Sequence, residues 1–260
     1  MGKSMGIILG LLLLCPVTAP PAHSAQFGGI RELSVYPFIQ YFTWEEYSGG
    51  KRLLKESGPL YGAGGVIKLG LLEGSAGALT LSDRLEFFGG VVDYDGQYQD
   101  GIPLKTDVNY FGVMNQLDCG WAIPLQAVTV EPFAGLGYRW WLRDLQGSGG
   151  YTEYWSTLYG VFGMRSQYRL SGDSDFFVSG AAKYHFHNRN NVDFPGTGEV
   201  ELEPGSDWSV IADAGIRYRQ LVTSVYYENF IFPKSPVSKG LFQPRSESEI
   251  FGLRIGWAFR

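Results

Sequence analysis

What this chain of 260 residues lacks narrows the field before any motif is read. It has two cysteines, and only Cys119 lies beyond the first 24 residues, so no intramolecular disulfide can hold the remainder together. After the apolar stretch Ile7 to Leu14 there is no long hydrophobic run. A membrane helix needs about 20 such residues, so a helical membrane protein is excluded. Lys and Arg number 21 against 26 Asp and Glu, a formal charge of −5, which argues against nucleic acid as a partner. Histidine is scarce too: beyond the first 24 residues only His185 and His187 remain, and no metal or cofactor motif is read.

The start of the chain has the order of a secretory signal. Lys3 precedes the apolar stretch, a Pro/Ala/Ser segment follows, and Ala22 and Ser24 are small residues suited to cleavage. The expectation is a signal peptide over 1–24, cut near Ser24/Ala25, and one domain over 25–260. A lipoprotein reading on Cys15 is weaker, because Leu14 before it is large and Pro16 follows.

Glycine (36 residues) and aromatics (15%) are plentiful, and the apolar residues alternate rather than cluster. Ten alternating segments can be marked, at 33–46, 60–72, 78–93, 107–119, 127–143, 153–169, 175–188, 207–219, 221–232 and 247–259. The connections after odd segments are long (47–59, 94–106, 144–152, 189–206, 233–246), and those after even ones are short. Most segments reach the roughly 9–11 residues that a tilted strand needs to cross a bilayer. These features predict an all-β fold, a single up-and-down antiparallel transmembrane β-barrel of about ten strands, with short periplasmic turns and long outer loops. An even strand number puts both termini on the periplasmic side.

The faces separate in the fifth segment. Val128, Val130, Ala134, Leu136, Tyr138, Trp140 and Leu142 suit lipid, while Glu131, Arg139, Trp141 and Arg143 point the other way. In the eighth, Trp208, Val210 and Ile216 oppose Asp213, Arg217 and Arg219. Trp44, Tyr61, Trp121, Trp140, Tyr154, Trp208, Tyr218 and Trp257 are candidates for interfacial girdles. The first and sixth segments fit either register.

The last segment is the most telling. Phe251, Leu253, Ile255, Trp257 and Phe259 alternate with Gly252, Arg254, Gly256 and Ala258. This pattern resembles the C-terminal assembly signal of Gram-negative outer-membrane β-barrels, although Arg260 follows the aromatic that usually ends it. The whole chain is similar to small proteins of the OmpA-like and porin-like barrel class. That resemblance implies the bacterial outer membrane, with its lipid and lipopolysaccharide and the barrel-assembly machinery as partners.

The inward register gathers Arg84, Glu86, Glu131, Arg139, Arg143, Arg165, Lys183, His185, Asp213, Arg217, Glu228 and Arg254. In a bore this narrow the expectation is a lumen filled by Arg–carboxylate pairs. The function expected is structural, surface-binding or a narrow pore for small ions or solutes, biased toward anions. Ten strands with outer extensions also resemble the omptins, outer-membrane proteases using a His–Asp pair at the outer mouth. That alternative would draw on His185, His187, Asp93 and Asp95, with Asp193 and Asp207 nearby. Two histidines two apart on a strand also share a face and could bind metal. A lipid A acyl hydrolase would need a serine that spacing does not single out. Outer loops add Lys51, Arg52 and Lys55 for lipopolysaccharide phosphates, and an acidic stretch through Glu199, Glu201 and Glu203 for cations.

Overall fold

The computed structural model describes residues 28–97, 101–147, 149–194 and 198–259. The expected signal peptide, its cleavage site and Arg260 lie outside these.

Eleven strands follow one another: β1 (Gly29–Ser48), β2 (Lys51–Gly74), β3 (Gly77–Gln97), β4 (Pro103–Leu125), β5 (Val128–Leu145), β6 (Thr152–Arg169), β7 (Ser174–Phe194), β8 (Gly198–Leu202), β9 (Trp208–Tyr218), β10 (Leu221–Phe232) and β11 (Arg245–Phe259). Each pairs antiparallel with its neighbour, β1 meets β11, and β7 pairs with both β6 and β9. The result is a closed ring of ten strands. The eleventh, β8, pairs only with the far end of β7. Closure satisfies the backbone N–H and C=O groups between strands, the condition for placing β-structure in lipid.

All ten expected strands are present, but several long connections are not loops. The first two strands run on to a two-residue turn at Gly49-Gly50, both with positive φ (58° and 77°). Glycine accommodates that backbone and lets a hairpin close tightly. The stretch read as a loop over 189–206 contains the end of β7 and all of β8. A 24-residue strand such as β2 runs roughly 80 Å at about 3.3 Å per residue. This far exceeds an apolar band about 25 Å tall, so the barrel wall itself projects beyond the belt.

Short turns at 75–76, 126–127, 170–173 and 219–220 share one end of the barrel with Gly28 and Phe259. This is the short-turn end; the projecting strands make the extended end. Arg219, expected inside, sits in one of these turns with φ 54° and pairs with Asp173 at 3.3 Å. The strand ends one residue before it, so the alternation no longer applies.

Outward side chains form an apolar belt, broken on β3 and β4 by Asp83 and Asn115. On β1 it runs Leu33, Val35, Ile39, Tyr41 and stops at Thr43 and Glu45; on β3 it spans Leu79 to Val91. Trp121, Tyr218 and Trp257 border it toward the short-turn end, and Tyr61, Tyr154 and Trp208 toward the extended end. Trp44 is the exception among the expected girdle residues. It points inward and is 2% exposed.

Candidate functional site

The bore has two unlike halves. Toward the extended end it is filled by an apolar cluster that includes Phe42, Trp44, Leu60, Tyr110, Trp141, Trp155, Phe230 and Phe232. The Trp141 and Trp155 rings stack at 5.3 Å, and Trp44 meets Trp155 edge-on at 5.1 Å. Strands β1 and β6 stand five places apart in the ten-strand ring, so Trp44 and Trp155 meet from opposite walls. This explains the ambiguous alternation of β1 and β6. Their inward faces supply the plug and their outward faces the belt, so both are apolar.

Charged groups are set into this packing. Arg143 pairs with Glu56 and, at 2.9 Å, with Glu153; Tyr110 also donates to Glu56. Lys183 and Arg139 share Glu228, the latter at 3.3 Å, and the Arg139 guanidinium lies over the rings of Phe230 (4.4 Å) and Phe88 (5.1 Å). Arg254 bridges Glu86 (3.1 Å) and Asp213 (2.6 Å), and Tyr36 donates to Glu86 at 2.8 Å. A buried charge is tolerated when its partner is supplied with it, and each of these cations meets at least one carboxylate, although Arg139 Nε is enclosed without a hydrogen-bond partner. Above the belt, Glu46 is buried and accepts bonds from Trp44 Nε1 (3.1 Å) and Gln243 Nε2 (2.8 Å). Burial pushes its carboxyl up to about 7 against the opposing pull of Arg143, with Glu153 and Glu56 adding to the rise.

Toward the short-turn end the bore opens into a polar vestibule of about 740 Å³, reaching the rim at Gln126 and Arg169. Arg165 grips Asp118 through two nitrogens at 2.7 and 2.8 Å and reaches Glu131 at 3.2 Å, while Lys68 also pairs with Glu131. Arg217 pairs with Glu32 across the mouth.

Arg84, Glu86, Glu131, Arg139, Arg143, Arg165, Lys183, Asp213, Arg217, Glu228 and Arg254 therefore all face the interior, split between plug and vestibule. The histidines part company. Leu158 pairs with His187 and Tyr159 with His185, leaving Phe186 as an extra residue in a bulge. A one-residue bulge turns the following side chains over, so His185 is buried while His187 is exposed on the outside. They share no face for a metal. Asp93 and Asp95 also point outward, away from His185. The Nδ1 of His185 instead lies 2.9 Å from the Thr157 hydroxyl, with its ring packed among Tyr159, Phe230 and Phe232. The carboxylate partner that water activation would require is therefore not assembled from these residues.

A closed antiparallel ring with an apolar belt, aromatic borders and a polar, side-chain-filled bore leaves one architectural class. The chain is built as an outer-membrane β-barrel. Comparison with solved structures returns proteins of this kind. The transport unit of the Escherichia coli autotransporter AIDA-I matches with 10% identity over 85% of this chain and 89% of its own, at TM-score 0.44. A major outer-membrane protein of Thermus thermophilus gives 14%, 86%, 99% and 0.41, and the Pseudomonas putida toluene transporter TodX 8%, 88%, 89% and 0.37. These scores are low, and the architecture rests on the strand pairing itself. No protein-family model and no curated protein matches the sequence.

Proposed function

We propose that this barrel works in the bacterial outer membrane as a sealed, non-conducting scaffold that holds a rigid extension outside the bilayer, with both termini and the short turns facing the periplasm. The observation that carries this reading is the contact of Trp44 with Trp155 from opposite walls, within an aromatic plug that also encloses the Arg143–Glu56–Glu153 cluster. A pore needs a continuous wet path, and large rings packed against one another from opposite walls support a bore without one. The extended end supports a surface role. The β1–β2 hairpin carries exposed Lys51 and Arg52 beyond the belt, where lipopolysaccharide phosphates would meet them, although Arg52 is partly engaged by Glu45 at 3.3 Å. The β7–β8 hairpin carries exposed Glu199 and Glu201 near Arg189. The hydrolase alternative finds no support in the placement of His185, His187, Asp93 and Asp95.

The test is conductance of refolded, heat-modifiable protein in planar bilayers. Silence is expected. Discrete, reproducible steps from the folded barrel would overturn the sealed-bore reading.

A further inference from the structure

Among the described strands, β8 alone has a single neighbour. On its edge away from β6, β7 pairs first with β9, from Ser174 to Tyr184, and then with β8, from Asn190 to Phe194, so β8 stands above β9 in the wall. The place beside it belongs to a continuation of β10. That strand stops at Phe232, where Pro233 brings no N–H to carry a ladder further. Among the described residues β8 makes no backbone hydrogen bond except to β7, and the exposed Lys239 sets its Nζ 3.0 Å from the Glu199 carbonyl. Half the main-chain N–H and C=O groups of a strand point to each edge, so the free edge is a template for another strand.

The edge is open but selective. Val200 and Leu202 are buried on the inward face with Val192, while Glu199 and Glu201 are exposed on the other, with Asp193 opposite Glu199 on β7 and Glu203 just past the strand end. These four carboxylates stand against two basic groups, Lys239 and Arg189, the latter 3.8 Å from Glu201. A second copy adding its own β8 antiparallel would set Glu199 and Glu201 against the same residues, and like charges directly opposite destabilise a strand pair. Lipopolysaccharide phosphates meet the same repulsion. A strand with lysine or arginine at alternate positions instead meets opposite charge and satisfies the backbone groups as well.

We propose that the free edge of β8 is a docking site for an extended, basic segment of a partner protein, which adds to the β7–β8 hairpin as its next strand. Alternate basic side chains of the partner lie beside Glu199 and Glu201, and one of its N–H groups displaces the Lys239 ammonium from the Glu199 carbonyl. The inference rests on the extended end being a surface platform. It does not rest on the sealed bore, so a conducting barrel would sink that reading without deciding this one.

The experiment follows the fluorescence anisotropy of a labelled heptapeptide of alternating lysine and valine as folded barrel in an uncharged detergent is added at fixed ionic strength. Saturable binding of one peptide per barrel is expected. Two further peptides carry N-methyl groups on alternate nitrogens, in the two possible phases, which keeps every charge but removes the donors along one edge. One phase is expected to abolish binding and the other to leave it. Glu199→Gln combined with Glu201→Gln, both at exposed positions, is expected to weaken binding about fivefold or more. Equal binding of all three peptides would overturn the assignment, because it marks attraction of charge alone, and so would unchanged binding in the double variant. The absence of saturable binding to the unaltered barrel overturns it whatever the variant does. A dimer whose β8 amides are protected from hydrogen exchange does so too, since a second copy then holds the edge.

Discussion

Asn115 Nδ2 lies 2.6 Å from Asp83 Oδ1 on the outer surface of the barrel, where Asp83 interrupts the apolar series Leu79, Leu81, Leu85, Phe87 of β3. The same amide nitrogen also reaches the Arg84 carbonyl at 3.2 Å. An ionisable group on the lipid face is costly, and a neighbouring amide offsets part of the cost. Asp83→Leu is expected to stabilise the barrel by about 1–2 kcal/mol. Asn115→Ala, which strands the carboxyl, is expected to destabilise it by about 1–3 kcal/mol. Urea unfolding in lipid vesicles measures both; opposite signs for the two variants are the outcome to look for.

Trp155 is fully buried at the centre of the plug, touching Trp44, Trp141 and Phe232. Trp155→Ala removes a large packed ring and is expected to cost about 3–5 kcal/mol. It also opens a gap between opposite walls. Planar-bilayer recording should show flickering leak currents in this variant and none in the parent.

Arg143 is the sole cation held by both Glu56 and Glu153 among the described residues. Arg143→Met leaves two buried carboxylates without their partner, and a loss of about 3–5 kcal/mol is expected. Adding Glu56→Gln and Glu153→Gln to the same chain should recover much of it. A double-mutant cycle by chemical denaturation separates the pair energy from the packing of the new methionine.

Glu46 sets a pH dependence whose sign follows from its raised folded pKa, about 7 against an ordinary 4.5. The folded state keeps the proton that the unfolded chain gives up. Its contribution is therefore present below about pH 4.5 and is lost as pH rises through 7. Stability should fall by up to about 3 kcal/mol across that window. Glu46→Gln, which can keep the bond from Trp44, should abolish this fall. Denaturation midpoints at pH 5 and pH 8 compare the two proteins.

The outward pattern was written plainly in the sequence. Alternation in β5, β9 and β11 assigned the lipid face, and the charges opposite it point inward except Arg219, which lies one residue beyond the end of β9. The aromatic plug was not legible, because Trp44 and Trp155 come from distant strands and each reads locally as a girdle or wall residue. Only closure of the ring brings them together. His187 was misplaced for a different reason: a bulge at Phe186 leaves no mark in hydrophobic periodicity, yet it reverses every side chain after it. Asp83 was legible too, since placing Arg84 in the interior turns the carboxylate immediately before it toward the lipid side.

A ring of hydrogen-bonded strands is a hoop, stiff along its wall but easily flattened by pressure from one side. Trp44 and Trp155, meeting from walls five strands apart, act as a spoke across it, and the link from Arg139 on β5 to Glu228 on β10 is a second. Spokes hold a hoop round. Bilayer lateral pressure, which would squeeze an empty ten-strand barrel into an ellipse, therefore bears on a braced cross-section, and the projecting hairpins inherit a fixed footing from it.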